Sequence, residues 1–158
     1  TTIIAVDGND HRLGIAQKMG ADVTLNFKNC DVIDEIMKIT GGRGADSAIE
    51  ALGTQATFES ALRSIKPGGT LSSLGVYSED LKIPLSAFAA GLGDHKINTA
   101  LCPGGKERMR RLMNVLASNR LDLGLLVTHQ YKLDDIVAAY DLFAHQRDGV
   151  LKVAITPQ

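Results

Sequence analysis

The stretch TTIIAVDGNDHR (Thr1–Arg12) decides the fold of this chain. An apolar run, Ile3–Val6, leads into the acid Asp7, and the sequence GND then provides a turn and a helix cap. An acid at the end of such a strand is placed to accept hydrogen bonds from a ribose diol, as after the second strand of a dinucleotide-binding unit. In that unit, a first strand and a glycine-rich phosphate turn lie about 20 residues upstream of the acid. The stretch therefore predicts a nucleotide-binding fold that is entered at its second strand.

Short apolar runs alternate with amphipathic segments along the rest of the chain. The strand candidates are Ile3–Val6, Val23–Leu25, Ser47–Ala51, Leu71–Val76, Ile97–Leu101 and Leu151–Ile155. Apolar residues recur at helical spacing within residues 32–37, 58–65, 109–116 and 133–140. This alternation is typical of a mostly parallel sheet with helices on both faces. We therefore predict an α/β fold, a Rossmann-type doubly wound parallel sheet that is incomplete at its N-terminal side.

The predicted sheet lacks its first strand and the glycine-rich turn that follows it. In the dinucleotide-binding strand order 3-2-1-4-5-6, the first strand lies between the second and the fourth strands. Those two correspond here to Ile3–Val6 and Ser47–Ala51. We therefore expect these two strands not to form a hydrogen-bonded ladder with each other.

Composition argues against several classes of protein. The chain has 158 residues, 44% of them hydrophobic, and a net charge of -1, which suits one globular domain with a core. This small charge gives no general attraction to nucleic acid or to an anionic membrane, and no apolar run reaches the roughly 18 to 20 residues of a membrane span. The two cysteines, Cys30 and Cys102, form no CxxC motif. They favour reduced thiols in a cytoplasmic protein and argue against a cysteine-rich zinc site.

Few residues of the chain carry recognisable chemistry. The four histidines show no metal-ligand spacing, so we predict neither catalytic residues nor metal ligands. Asp7 is either a ribose-binding carboxylate or a solvated acid that helps the next helix to begin. Arg12 lies in the first turn of that helix, where the helix dipole disfavours a cation, so it either flanks a ribose or points to water. Ala51, Gly53 and Gly75 lie at or just beyond the carboxyl ends of predicted strands, where doubly wound folds bind ligands, although small residues also suit ordinary turns.

Four segments, in this order and spacing, resemble the C-terminal half of the medium-chain zinc-dependent alcohol dehydrogenase family. They are VDGNDHRLGIAQKMGAD (6–22), IEALGTQATFESALRSIKPGGTLSSLGV (49–76), LVTHQYKLDDIVAAYDLF (126–143) and VLKVAI (150–155). The segment LCPGGKERMRRLMNVLASNRLDLGLLVTH (101–129) is most similar to the bacterial and archaeal branch that acts on secondary alcohols.

The resemblance implies the cofactor-binding portion of an NAD-dependent alcohol dehydrogenase that oxidises primary or secondary alcohols to aldehydes or ketones. It implies NAD as cofactor and a zinc ion held by a catalytic domain outside this sequence. NADP-dependent secondary alcohol enzymes carry a small residue at the position of Asp7, so the acid favours NAD. The residues that match cofactor-binding positions are Asp7 and Arg12 at the adenosine ribose, Ala51 and Gly53 at the adenine, Leu74, Gly75, Val76, Ala100 and Leu101 near the nicotinamide, and Lys152 at the pyrophosphate.

The resemblance also implies how the chain is organised. Residues 1–103 would form an NAD-binding Rossmann domain without its first strand, and residues 104–158 would form a segment that packs back onto the catalytic domain. Two or four copies would associate through the edge strand 97–101. The partners expected are a small alcohol or ketone, with no nucleic acid and no membrane, and the isolated chain is expected to be inactive.

Three alternatives share parts of this pattern. An S-adenosylmethionine methyltransferase core also has a Pro-Gly-Gly step and an acid after its second strand, but it requires a helix and an antiparallel hairpin after Val76. A zinc-free medium-chain reductase has the same cofactor lobe. A non-catalytic nucleotide-binding module would need no further residues for chemistry.

Overall fold

The structure is a computed structural model that describes residues 1–100 and 104–157. The described strands are β1 (Ile4–Asp7), β2 (Val23–Asn26), β3 (Ala45–Glu50), β4 (Ile65–Ser73), β5 (Lys96–Thr99), β6 (Val127–Lys132) and β7 (Lys152–Thr156). The described α-helices are α1 (Asp10–Lys18), α2 (Val32–Ile39), α3 (Gln55–Ser64), α4 (Lys106–Ala117) and α5 (Ile136–Ala144). Short 3-10 helices lie at Ala89–Gly91, Leu123–Leu126 and Leu133–Asp135. None of these helices has the length and apolar character needed to cross a bilayer.

Every ladder between the described strands is parallel. β1 pairs with β2, β3 with β4, β4 with β5, and β6 with β7. The predicted α/β fold with parallel strands is therefore confirmed. Within the described residues, β1 and β3 belong to separate sheets and share no ladder, as predicted. In the order 3-2-1-4-5-6, the third strand pairs with the second, and the fourth, fifth and sixth strands pair in succession. Here β2 and β1 form the first of these groups, and β3, β4 and β5 form the second.

The chain divides into two compact units, Thr1–Lys28 with Gly105–Gln158 (unit 1) and Asn29–Gly104 (unit 2). The predicted domains, 1–103 and 104–158, stay a prediction. In unit 1, α1 packs on β1 and β2 and buries Leu13, and α5 packs on β6 and β7.

The start of α1 is fixed by a side-chain cap. Asn9 Oδ1 accepts hydrogen bonds from the backbone N–H of His11 at 2.9 Å and of Arg12 at 3.3 Å. Because this cap satisfies N–H groups that have no partner within the helix, α1 begins directly after β1. The acid at the end of β1 and the first turn of α1 are therefore close together.

Unit 2 contains an apolar core around α3 and β4. Its buried members are Phe58, Leu62, Ile65, Leu71 and Ala87. Leu62 and Leu71 are the largest side chains that are fully buried. α3 packs on β3 and β4 and also contacts α2, so the core fixes the helix against these two strands.

Several strand boundaries differ from the predicted ones. β3 ends at Glu50, so Ala51 lies just beyond it, and β4 ends at Ser73 rather than at Val76. β4 begins at Ile65 and includes the Pro-Gly-Gly step. The ladder with β3 has a bulge at this step, so no ladder hydrogen bond is required from the proline, which has no backbone N–H to donate.

Two further differences concern β5 and β6. β6 was not predicted as a strand, although its side chains alternate in exposure along VTHQYK. β5 covers Lys96–Thr99, and Leu101, at the end of the predicted edge strand, lies outside the described residues.

Candidate functional site

Asp7 is the last residue of β1, and one oxygen of its carboxylate is already in contact with neighbouring groups. Oδ1 accepts a hydrogen bond from the backbone N–H of Asn9 at 2.9 Å and lies 3.1 Å from Nε of Arg12. Within the described residues, Oδ2 accepts no hydrogen bond. The side chain is 31% exposed, so one carboxylate oxygen remains available to a ligand hydroxyl.

Arg12 is held beside this carboxylate rather than directed fully to water. Its Nε is buried and, despite the short distance to Asp7, has no hydrogen-bond partner of good geometry in the described part of the chain. Its Nη2 donates weakly, at 3.4 Å, to Oε1 of Gln146. A buried donor without an aligned partner is unfavourable, so a ligand oxygen at this position would satisfy it. The predicted pair of Asp7 and Arg12 is therefore brought together in unit 1.

Phe27 is a neighbour of Asp7 that sequence reasoning missed. Its ring is 57% exposed and covers Gly8, where an added Cβ would collide with the ring carbons. The backbone N–H of Phe27 donates to the carbonyl of Asp7 at 3.3 Å, because β1 and β2 run in parallel and end together. An exposed aromatic ring beside a ribose-type carboxylate offers a flat apolar surface. The signal available in the sequence was an aromatic residue directly after the second predicted strand.

In unit 2, the turns that follow β3 and β4 touch through their backbones. Gly53 has a φ of +93°, and a Cβ added there would lie 2.7 Å from the nitrogen and 2.8 Å from the carbonyl carbon of Val76. A Cβ at Gly75 would lie 2.5 Å from Oε2 of Glu50 and would also collide with the backbone of Gly53. Both positions therefore require glycine, and no side chain separates the two turns.

Glu50 joins these two turns, and sequence reasoning missed its role. The residue is only 3% exposed. Its Oε1 accepts hydrogen bonds at 2.8 Å from the backbone N–H of Leu52 and of Gly53 and from the hydroxyl of Thr57. Its Oε2 accepts a 2.6 Å hydrogen bond from the hydroxyl of Tyr77. The carboxylate is thus bound by donors from the turn after β3, from α3 and from the turn after β4.

The hydrogen bonds that Glu50 accepts determine the charge state of the Glu50 network, which consists of Glu50, Thr57, Ser73 and Tyr77. Burial alone raises the pKa of the Glu50 carboxyl, but the hydrogen bonds that it accepts, first among them that of Tyr77, outweigh burial and lower the pKa from 4.5 to about 2. Burial and the adjacent carboxylate raise the pKa of the Tyr77 phenol above its usual value. Because the single phenol proton is donated to Glu50, the phenol oxygen accepts the 2.7 Å hydrogen bond from Ser73. At neutral pH, the group is therefore a buried carboxylate surrounded by neutral donors.

Of the other predicted residues of unit 2, Ala51 lies on the turn after β3, Leu74 and Val76 lie on the turn after β4, and Ala100 follows β5. Ala51, Leu74, Val76 and Ala100 are exposed, and Leu101 lies outside the described residues. Beside the Glu50 network is a cavity of ≈ 220 Å³, lined by Gly53, Thr54, Gln55, Tyr77, Ser78, Glu79, Asp80 and Leu81. The exposed, small or backbone groups at this edge can contact a flat ligand.

Lys152 is exposed at the start of β7 in unit 1. It borders an apolar cavity of ≈ 280 Å³ whose other lining residues are Ile136, Ala139, Tyr140, Phe143, Val153 and Ile155. Its predicted contact with a pyrophosphate stays a prediction.

The described residues contain no group of three or more His, Cys, Asp or Glu side chains that could hold a metal ion. They therefore do not fit a zinc site. In unit 1, the carboxylate of Asp7 and the buried Nε of Arg12 are groups that can hydrogen-bond a ribose. Chemically, these residues can bind and orient a ligand.

Comparisons with known proteins agree with this description. The sequence model of a family described as zinc-binding dehydrogenase matches residues 1–118. An alcohol dehydrogenase of Cupriavidus necator is 83% identical over 99% of this chain and 43% of its own length. An NADP-dependent isopropanol dehydrogenase of Clostridium beijerinckii is 34% identical over 97% of this chain and 44% of its own length. The chain thus spans less than half the length of these relatives.

Solved structures show the same similarity. The alcohol dehydrogenase TADH from Thermus sp. ATN1 is 27% identical, with a TM-score of 0.88 over 100% of this chain and 44% of that chain. Zinc-dependent alcohol dehydrogenase 2 from Streptococcus pneumoniae, in its apo form, is 33% identical, with a TM-score of 0.88 over 98% of this chain and 44% of that chain. The family match covers most of the chain, and the parallel fold and strand-end site agree with it. The chain belongs to the zinc-binding dehydrogenase family.

Proposed function

We propose that this chain is the cofactor-binding portion of an NAD-dependent alcohol dehydrogenase that oxidises primary or secondary alcohols. The observation that carries the proposal is the carboxylate of Asp7 at the end of β1, with one oxygen accepting no hydrogen bond from the described residues. A ribose diol is the ligand group that such a strand-end carboxylate binds in this fold. The 83% identity to an alcohol dehydrogenase supports the choice of reaction.

The same carboxylate favours NAD over NADP. A 2′-phosphate on the ribose would place a second negative charge beside the carboxylate of Asp7, and the two negative charges would repel each other. The nearby Arg12 would attract such a phosphate, but its Nε lies against the carboxylate at 3.1 Å. We therefore assign NAD to this chain, although relatives named isopropanol dehydrogenase are NADP-dependent.

The chain's own residues would bind and orient the cofactor. In this proposal, Asp7 and Arg12 hold the adenosine ribose, Ala51 and Gly53 face the adenine, and Lys152 contacts the pyrophosphate. The nicotinamide would lie near Leu74, Gly75, Val76, Ala100 and Leu101. When bound, NAD supplies the acceptor for a hydride from the alcohol.

The remaining parts of the proposal concern the complete protein. We propose that the zinc-binding residues of the complete protein lie outside the described residues. We propose a cytoplasmic protein whose copies pair through the strand 97–101, of which β5 is the described part. Among the described strands, β5 pairs on one side only, with β4, and an unpaired strand edge of this kind can pair with a second copy.

Equilibrium binding to the complete protein tests the proposal. We expect NADH to bind with a lower dissociation constant than NADPH, and S-adenosylmethionine not to compete with it. Alcohol oxidation is then assayed with primary and secondary alcohols and either cofactor, before and after zinc removal. Tighter binding of S-adenosylmethionine than of NADH would favour the methyltransferase alternative. Activity on enones without zinc would favour the reductase, and cofactor binding without any turnover would favour the non-catalytic module.

A further inference from the structure

We propose that Glu50 is a positioning residue of the cofactor site, whose buried carboxylate holds the turn after β3 (residues 51–54) and the turn after β4 (residues 74–77) in the conformation that receives the cofactor. The inference rests on the proposed function, since these turns carry the residues assigned to the adenine and the nicotinamide. Glu50 itself is directed inward and is not assigned a contact with the cofactor.

The hydrogen bonds that Glu50 accepts come from both turns. Backbone N–H groups of Leu52 and Gly53 donate to Oε1, both at 2.8 Å, so the carboxylate fixes the backbone of the first turn directly. Tyr77 donates to Oε2 at 2.6 Å from the second turn. Hydrogen bonds to an ionised acceptor are about twice as strong as neutral ones, so one side chain sets the position of both turns.

The two turns also pack closely against each other. Gly53 and Gly75 are in backbone contact, and a Cβ at either position would meet atoms closer than 3 Å. Residues assigned to a flat ligand through their backbone act only if that backbone is placed to within a few tenths of an ångström. A displacement of one turn would therefore displace the other.

Few other side-chain contacts attach these two turns to the core. Leu52, Leu74 and Val76 are 68%, 52% and 82% exposed, so their side chains supply little anchoring. Backbone and capping contacts also hold the turns, since the N–H of Leu74 donates to the carbonyl of Glu50 at 2.7 Å and Thr54 caps α3 through Thr57. The side-chain contacts that join the turns to the rest of unit 2 run mainly through Tyr77, whose ring packs edge-on against Phe58 with centroids 6.1 Å apart, and through Glu50. The core beneath them, by contrast, consists of apolar contacts that do not involve Glu50. Loss of the carboxylate should therefore loosen the turns more than the core.

The variant that tests the inference is Glu50→Gln in the complete protein. An amide has nearly the same shape, but its NH₂ group cannot accept the hydrogen bonds that one carboxylate oxygen now accepts, and it lacks the charge. Glu59→Gln is the matched control, because it removes an equal charge from the same unit. Glu59 lies on α3 and pairs with Arg63, and it has no hydrogen bond to either turn among the described contacts.

We expect Glu50→Gln to raise the dissociation constant for NADH, measured by fluorescence titration, by about tenfold, and Glu59→Gln to leave it within about twofold. The KM for NAD should rise in parallel, while the KM for the alcohol changes little. A merely structural role would lower the melting temperature and the fraction of active protein but would leave the dissociation constant of the folded fraction unchanged. That result, or an unchanged dissociation constant in folded Glu50→Gln protein, would overturn the inference.

Two further measurements keep the outcomes distinct. If Glu50→Gln does not fold by circular dichroism, Tyr77→Phe removes the phenol hydroxyl, which donates to Glu50 and accepts from Ser73, and should still raise the dissociation constant several-fold. An unchanged value in Tyr77→Phe would then overturn the inference. If the unaltered protein binds neither NADH nor NADPH, the proposed function fails, which is a different result from a variant that binds as well as the parent.

Discussion

The phenol of Tyr77 donates a 2.6 Å hydrogen bond to Oε2 of Glu50, which lies 27 positions earlier in the chain. The bond joins the turn after β4 to the last residue of β3, at the edge of the sheet where doubly wound folds bind ligands. Since the acceptor is a buried carboxylate, the bond contributes about 1.5 to 3 kcal/mol and is weaker when the carboxylate is protonated.

Stability should therefore fall in acid because of Glu50. Its pKa is about 2 in the folded chain and 4.5 as the ordinary value, so the unfolded state binds the proton first. The contribution is fully present above pH 4.5 and is lost as the pH falls from 4.5 towards 2; it amounts to about 3 kcal/mol. Urea midpoints measured across this range should show a smaller acid-dependent loss for Glu50→Gln than for the parent. Equal slopes in the two proteins would contradict the assignment, and Glu59→Gln provides the control for an unrelated carboxylate.

Replacing Asp7 by glycine should shift cofactor preference toward NADP. The change removes the carboxylate that would bind the ribose diol and repel a 2′-phosphate, and it leaves Arg12 to attract that phosphate. A charge-assisted hydrogen bond contributes about 1.5 to 3 kcal/mol, so the ratio of kcat/KM for NAD and NADP should change by about tenfold or more. Steady-state kinetics of the complete protein with both cofactors measures this ratio. An unchanged ratio would mean that Asp7 is only a solvated acid at the end of β1.

Gly53→Ala should be strongly destabilising, whereas Gly14→Ala should not be. Gly53 has a φ of +93°, and its new Cβ would meet the Val76 backbone at 2.7 and 2.8 Å. The combined strain and collision should cost about 2 kcal/mol or more. Gly14 lies within α1 and has no atom within 4 Å of the position of its new Cβ, so alanine should stabilise the helix by up to about 1 kcal/mol. Thermal unfolding of both variants checks the pair, and similar losses in both would show that the contact between the turns is unimportant.

The isolated 158-residue chain should not oxidise alcohols, with or without added zinc. Hydride transfer from an alcohol requires a group that removes the hydroxyl proton or stabilises the resulting alkoxide, and the described residues contain no cluster of metal-binding side chains. Reduction of NAD, followed by absorbance with isopropanol as substrate, measures this activity. Zinc-dependent turnover by the purified chain would show that the residues described here hold more of the reaction than we propose.

Local sequence patterns predicted the elements with strong local causes. The end of β1 at Asp7 follows from an apolar run, an acid and a capping residue that are adjacent in the chain. The core face of α3 follows from the spacing of Phe58 and Leu62, both of which are buried. The exact end of β4 did not follow, since ladder pairing with β3 and β5 stops at Ser73 although the sequence remains apolar to Val76.

Local sequence patterns were enough to predict the parallel α/β fold and the acid at the end of its first described strand, because helix caps, apolar spacing and strand-ending acids act over a few residues. Tertiary structure alone decided the role of Glu50. In the sequence it is an acid at the end of a strand, much like Asp7. Its burial and its contacts with Ser73 and Tyr77, 23 and 27 positions away, exist only once β3 and β4 are paired. A long-range hydrogen bond leaves no local pattern, so the two acids could be told apart only when their surroundings were known.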